Sequence, residues 1–256
     1  EQGYNIAIDP PVPAKQIAYI SGLGKFGKNS LIHHHKFGSF LTLHVLLTNA
    51  DIPSDNIEAG EITDCGTCRL CIDACPMQAI TENGVVLISR CLRFHMLSSE
   101  IIPLEIREKI DNRVVGCDDC QNVCPRNRPL IRDSDNAGTG QNIFDIKMLL
   151  TDASVGLKRH MDLIGKQIGK NYARAQRVLS MAVIIAGNSC DLSYLPLLAD
   201  TLHHPHPPIR AHSAWAIGKL GGKSAKFMLK EAQSKEKNSY VRKDISFALE
   251  NLQNMP

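Results

Sequence analysis

The chain is 256 residues long, 43% apolar and 5% aromatic with a single Trp, enough to bury one sizeable aliphatic core or two to three small ones. No run of about 18 or more apolar residues occurs, so no helical membrane span is expected; the opening Glu1-Gln2-Gly3-Tyr4 carries neither an initiator Met nor a basic-then-apolar leader and reads as the downstream part of a longer protein with no sign of export. The net charge of +3 divides unevenly, with 13 Lys/Arg against 18 Asp/Glu in residues 1–146 and 16 against 8 in residues 147–256, which fits either a solvated helical surface or a basic face meeting a polyanion.

In chain order, Tyr4–Asp9 predicts a short buried strand, stopped by Pro10-Pro11-Val12-Pro13. Lys15–Ile20 predicts one or two helical turns, broken by the glycines of Gly22-Leu23-Gly24-Lys25-Phe26-Gly27. Residues 39–48 are apolar and β-rich and predict a second strand. Asp51–Asp64 reads as an acidic loop leading into the cysteines. A polar stretch centred on Asp133-Ser134-Asp135-Asn136-Ala137-Gly138 reads as a linker, and everything after it as helix. Ala182-Val183-Ile184-Ile185-Ala186-Gly187 is echoed by His212-Ser213-Ala214-Trp215-Ala216-Ile217-Gly218, and then by Ile245-Ser246-Phe247-Ala248-Leu249. Such a period suggests a short solenoid of HEAT-like helix pairs. Pro205, Pro207 and Pro208 stand where a new helix opens.

Nine cysteines are present, eight of them between Cys65 and Cys124. The first group is Cys65-x2-Cys68-x2-Cys71-x3-Cys75-Pro76, the second Cys117-x2-Cys120-x3-Cys124-Pro125, with Cys91 between. A cubane needs one thiolate per iron. Three closely spaced cysteines wrap three irons, and the fourth, followed by Pro, turns away to serve the other cluster. This logic assigns Cys65, Cys68, Cys71 and Cys124 to one [4Fe–4S] cluster, and Cys75, Cys91, Cys117 and Cys120 to the other. Structural zinc is the alternative for four thiolates, although zinc ribbons use pairs of cysteines rather than a run of four closed by Pro. Disulfides suit a small secreted domain, and a reducing cytoplasmic compartment fits better here. Cys190 reads as a small core residue in a helix. His33-His34-His35 reads as a polar turn, because consecutive residues rarely point at one metal ion.

Asn112-Arg113-Val114-Val115-Gly116-Cys117-Asp118-Asp119-Cys120-Gln121-Asn122-Val123-Cys124-Pro125-Arg126-Asn127 closely resembles the epoxyqueuosine reductase family. Ser21-Gly22-Leu23-Gly24-Lys25-Phe26-Gly27-Lys28-Asn29-Ser30-Leu31 and Gly38-Ser39-Phe40 are similar to its corrinoid-domain segments, and the order of motifs also matches. The resemblance implies an α+β multidomain chain, mainly α. Residues 1–60 would be a partial corrinoid-binding α/β segment and 61–128 a double [4Fe–4S] ferredoxin-like module; 129–146 would be a linker and 147–256 a HEAT-like helical domain.

It further implies an oxidoreductase that uses cobalamin and two clusters to reduce epoxyqueuosine to queuosine in the tRNA anticodon stem-loop. The clusters would pass single electrons to cobalt, reduced cobalt would act on the epoxide, and loss of water would leave the cyclopentene. The family's proton-donating Asp matches Asp9; a carboxyl beside an apolar corrin would be desolvated and its pKa raised. Corrinoid contacts would fall to Gly22, Gly24, Lys25, Phe26, Gly27, Lys28, Asn29 and Ser39. The basic C-terminal domain would hold tRNA phosphates through Arg174, Arg177, Arg210 and Lys219. A flavodoxin or ferredoxin would supply low-potential electrons.

The chain departs from the family at Arg93-Phe94-His95-Met96, where a Ser-Tyr-Leu-Thr stretch is usual, at Arg126 in place of Trp, and at Ser180-Met181 in place of Arg-Asn. The stretch after Asp9 differs too. These differences keep open a paralogous corrinoid iron–sulfur reductase or activator, or an electron-transfer protein that does not act on tRNA.

Overall fold

The Pro- and Gly-punctuated first third forms only short elements, whereas the Ala- and Leu-rich last 110 residues form long helices. A computed structural model describes residues 3–53, 63, 65–134, 142–155 and 157–253. Chain order runs β1 (Ile6–Ile8), α1 (Ala14–Ile20), β2 (Lys25–Phe26), β3 (Ile32–His33), β4 (Leu46–Thr48) and α2 (Leu70–Asp73). Next come α3 (Leu92–Met96), α4 (Leu104–Ile110), α5 (Asp119–Asn122), α6 (Arg128–Ser134), α7 (Ile146–Thr151) and α8 (Lys158–Ile168). The last five are α9 (Ala175–Asn188), α10 (Leu195–Thr201), α11 (Pro207–Leu220), α12 (Lys223–Lys235) and α13 (Ser239–Gln253). Among the described residues no helix is long and apolar enough to cross a membrane.

Contacts divide the chain into two units, Glu1–Cys91 with Asp118–Gly138, and Leu92–Cys117 with Thr139–Pro256. In the first unit β1 and β4 pair antiparallel, Ile6 opposite Thr48 and Ile8 opposite Leu46. The strand expected over Tyr4–Asp9 is thus shorter, and it is exposed rather than buried: Ile8 is 71% accessible and Leu46 63%, because the ribbon has two strands and no described layer covers it. The strand expected over 39–48 shrinks to 46–48, since Phe40 and Leu41 give their N–H groups to the turn carbonyls of Phe37 and Ser39. A second ribbon pairs Lys25 with His33 and Phe26 with Ile32. His33 is therefore a buried strand residue, not part of a polar turn.

In the second unit the repeat read from sequence becomes a packing rule. A Cβ on Gly187 would lie 2.8 Å from Ala216 Cα, and one on Gly218 would lie 2.6 Å from Ala248 Cβ. Each copy's glycine lets its helix close onto the alanine of the next, so α9, α11 and α13 stack. Both α9 and α11 are buried nearly all round, as expected of the central helices in such a stack. Pro207 and Pro208 open α11 at its first positions.

Segment 92–117, which the sequence places in the cluster module, groups by its contacts with these repeats. Arg107, 1% accessible, donates through Nη2 to both oxygens of Asp244 at 3.0 and 3.2 Å and through Nε to Ile102 O at 2.8 Å. Asn188 closes the end of α4 by donating to Arg107 O. The expected linker is partly helical as well, since α6 occupies 128–134 and α7 begins at 146; its centre, 135–141, lies outside the described residues. Cys190 is exposed, not core: α9 ends at Asn188, and Cys190 adopts a left-handed φ of 58° as the chain turns away.

Candidate metal centre and its supporting loops

The two cysteine groups build the same local structure. Each of α2 and α5 is a single turn with a cysteine as its second residue, Cys71 and Cys120, and each stops before Cys-Pro, where the ring disfavours continued helix. Cys75 and Cys124 donate their N–H groups back to Ile72 O and Gln121 O, and accept at their own carbonyls from Gln78 and Asn127. The helices α2 and α5 pack against each other.

Cys65, Cys68, Cys71 and Cys124 come together in the first unit. Burial pushes the Cys71 thiol up, and the neighbouring thiolates of Cys65, Cys124 and Cys68 push it further. Four sulfurs that repel one another as anions are the donor set that a cationic iron–sulfur core stabilises, so these residues fit the group. Of the second set, Cys75, Cys91 and Cys120 lie in the first unit, and Cys117 ends the segment grouped with the second. Ala79 N–H donates to Cys75 Sγ at 3.2 Å, and His33 Nδ1 lies 4.0 Å from Cys124 Sγ. Among the described residues no three His, Cys, Asp or Glu side chains are arranged around a single metal ion, His33–His35 included.

The residues that the resemblance assigns to a corrin make the following contacts within the chain. Gly24 and Gly27 press on His33, whose O and Nε2 would each lie 2.5 Å from an added Cβ. Asn29 is buried, faces His33 Nε2 at 3.2 Å and reaches Cys120 O at 3.5 Å. Lys28 Nζ donates to Gly66 O at 2.8 Å and Cys68 O at 2.9 Å. Ser39 N–H donates to Asn127 Oδ1 at 2.9 Å, and Ser39 Oγ to Gln121 Oε1 at 2.9 Å. Asn127, fully buried, donates to Ser39 Oγ and to Gln121 O. Phe26 packs against the Tyr19 ring at 5.8 Å, Lys25 pairs in the ribbon, and Gly22, at φ 70°, ends α1.

Asp9 also differs from expectation. Its side chain is half-exposed, at a left-handed φ of 48°. His44 Nδ1 donates to Oδ2 at 2.7 Å and Val45 N–H to Oδ1 at 3.0 Å. Those bonds, His44 first, hold the carboxyl below the usual aspartate value; burial opposes them but is the smaller effect. Sequence reading missed His44, Gln121 and Asn127. The available signals were a lone polar residue inside an apolar stretch and the matched position of Asn127 and Gln78, each three residues after a Cys-Pro cysteine.

Of the basic candidates, Arg174 precedes α9 and is exposed. Arg177 lines a small pocket with Arg93, Met96 and Tyr172, and its buried Nε has no partner among the described residues. Arg210 is committed internally, bonding both oxygens of Glu236 at 2.7 and 3.0 Å and the carbonyls of His204 and Pro205. Lys219 likewise bonds Glu108 at 2.7 Å and Asn188 at 3.1 Å.

Residues 64–127 match the 4Fe-4S double cluster binding domain and residues 172–250 match HEAT repeats. Site and fold therefore define an iron–sulfur protein in which a double-cluster module is joined to helical repeats. Epoxyqueuosine reductase from Bacillus subtilis is 31% identical over 249 residues, covering 92% of this chain and 60% of its own length. A solved structure of that organism's epoxyqueuosine reductase, with an aspartate-bearing catalytic loop swung out of the active site, matches at a TM-score of 0.81 and 27% identity, covering 98% of this chain and 67% of the other. A crystal structure of epoxyqueuosine reductase with an epoxyqueuosine-modified tRNA stem loop matches at 0.80 and 28%, covering 98% and 66%. The chain is similar to epoxyqueuosine reductases along nearly all of its length, and it spans 60% of the length of the Bacillus subtilis relative.

Proposed function

We propose that the full protein containing this chain is an oxidoreductase that reduces epoxyqueuosine to queuosine in tRNA. The carrying observation is the likeness, over 98% of the chain, to an epoxyqueuosine reductase solved with its modified tRNA stem loop, in a chain whose cysteines match a double-cluster domain. The reaction converts an epoxide into an alkene and water, taking up two electrons and two protons. Cys65, Cys68, Cys71 and Cys124 would hold one [4Fe–4S] cluster and Cys75, Cys91, Cys117 and Cys120 the other; bound there, the clusters would supply single-electron transfer from a low-potential flavodoxin or ferredoxin.

Cobalamin enters this reading through the family resemblance alone, and no step here is routed through it. Asp9 is proposed to protonate the departing oxygen. Because His44 holds its carboxyl in the ionised form in the geometry described, the acid role requires that a proton be delivered to this pair before each turnover. Arg174 and Arg177 are proposed to meet tRNA phosphates.

The test uses the full-length protein, prepared anaerobically with cobalamin, a low-potential reductant and epoxyqueuosine-tRNA. Conversion to queuosine, read by nucleoside mass spectrometry, supports the reading. Unconverted substrate in a preparation that holds both clusters sinks it.

A further inference from the structure

Lys28 lies in the glycine segment, 37 residues before the first cysteine, yet its ammonium ends inside the first cysteine loop. Its two bonds go to Gly66 O and Cys68 O, carbonyls of the Cys65-x2-Cys68 turn. The aim of the side chain is fixed from behind. Asn29 is buried against His33, Ser30 Oγ donates to Gly84 O at 2.9 Å, and a Cβ on Gly84 would lie 3.2 Å from Lys28 Cα. The backbone of 28–30 is thus clamped by the turn at 81–84, and Gly84, at φ 75°, allows that approach.

We propose that Lys28 is a positioning residue for the cluster bound by Cys65, Cys68, Cys71 and Cys124: it staples the cysteine loop and sets the cluster's reduction potential with its charge. This inference rests on the two-cluster reading and is independent of the tRNA substrate. A cubane with four thiolate ligands carries net negative charge, and reduction adds one more unit. A carbonyl oxygen and the Sγ of the same residue are at most about 5 Å apart by covalent geometry, which puts the ammonium within about 8 Å of Cys68 Sγ. A fixed cation at that range favours the reduced state, with a strength between that at a protein surface and that in water. The same bonds engage two carbonyl dipoles of the cysteine loop. Lys28 therefore raises the potential of one cluster relative to the other and biases the direction in which an electron moves between them.

The experiment is a redox titration of the anaerobically purified full-length protein, followed by electron paramagnetic resonance, for wild type, Lys28→Met and Lys28→Arg. In Lys28→Met one midpoint falls by about tenfold in the reduction equilibrium, ~59 mV for a one-electron couple, while the other moves by less than half as much. Lys28→Arg stays near wild type. Unchanged midpoints in Lys28→Met, or equal shifts of both clusters, overturn the proposal. If Lys28→Met loads only half the iron, Lys28→Gln keeps a donor to the same carbonyls without the charge: a lowered single midpoint supports the assignment and an unchanged one overturns it. A wild-type protein with no inorganic sulfide would instead sink the two-cluster reading, a result distinct from clusters whose midpoints do not move.

Discussion

His44 Nδ1 lies 2.7 Å from the Asp9 carboxylate, across two segments that are 35 residues apart in sequence and brought together by the β1–β4 ribbon. The bond is the largest cause of the lowered carboxyl pKa, ahead of the Val45 N–H. Removing the imidazole in His44→Phe should move the Asp9 titration up toward the ordinary value of 3.8. Carboxyl carbon NMR checks the direction. In the full-length protein, Asp9→Asn should lower turnover by about 10²–10⁴-fold, the usual contribution of a positioned general acid. Normal turnover by that variant would remove the acid role.

Asn127 and Gly38 make a second relationship that can be tested. Asn127 uses both amide protons and its carbonyl inside the first unit, and Gly38, at φ 51°, lies where a Cβ would collide with Asn127 Oδ1. Asn127→Ala leaves Ser39 N–H and Gln121 O without these partners and should cost about 2–4 kcal/mol. Gly38→Ala combines a left-handed backbone with a steric clash and should be at least as harmful. Thermal melting with iron quantification checks both: a lowered midpoint and faster cluster loss are expected, and wild-type behaviour of Asn127→Ala would show that the network is dispensable.

Arg174 and Arg210 should separate under salt. An exposed arginine that meets a phosphate contributes close to one unit to the salt dependence of RNA binding, so Arg174→Ala should flatten the slope of log affinity against log salt by about 0.7–0.9. Arg210→Gln should leave that slope alone and lower stability instead, because Glu236 loses its main partner. The pH dependence carries the same signature. Arg210 holds the Glu236 carboxyl below the ordinary glutamate value of 4.5, so the pair's stabilisation is fully present above that value and is lost as the pH falls through the lower folded value. Binding isotherms at several salt concentrations, together with melts at pH 7 and pH 4, distinguish the two arginines.

Much of this was legible from residue spacing. Eight cysteines and two Cys-Pro steps define the cluster loops, because ligand spacing and helix termination are local. Gly187, Gly218 and the alanines after them fixed the repeat, because close helix packing tolerates few side chains at those positions. What spacing could not show was long-range pairing. Nothing local in Leu104–Ile110 says that Arg107 will be buried against Asp244, 137 residues later. The contacts of the polar residues near the glycine loop are equally hidden from spacing. Lys28 bonds Gly66 O and Cys68 O, and the partners of Ser39, which are Gln121 and Asn127, lie more than 80 residues away; a polar side chain in a loop does not reveal what it faces.

His212 provides a pH test of how the second unit holds its early segment. Ile102 N–H donates to His212 Nε2 at 2.9 Å, so that nitrogen must be unprotonated. The ring is fully buried; burial first and the Arg107 charge second hold its pKa well below 6.5. Below pH 6.5 the unfolded chain takes up a proton at this histidine and the folded chain does not, so stability falls as the pH drops, by up to about 1.4 kcal/mol per pH unit from this group. Above about pH 7 the contribution is complete and flat. Asp244, whose carboxyl burial pushes up, takes up its proton more readily folded than unfolded and so acts in the opposite direction as the pH falls. His212→Gln, which keeps a carbonyl acceptor for Ile102 N–H but cannot gain a proton, should therefore be less stable than wild type at pH 7.5 and lose less stability between pH 7 and pH 5. Urea denaturation across that range checks it, and parallel pH profiles for the two proteins would mean that His212 is not the buried neutral base described.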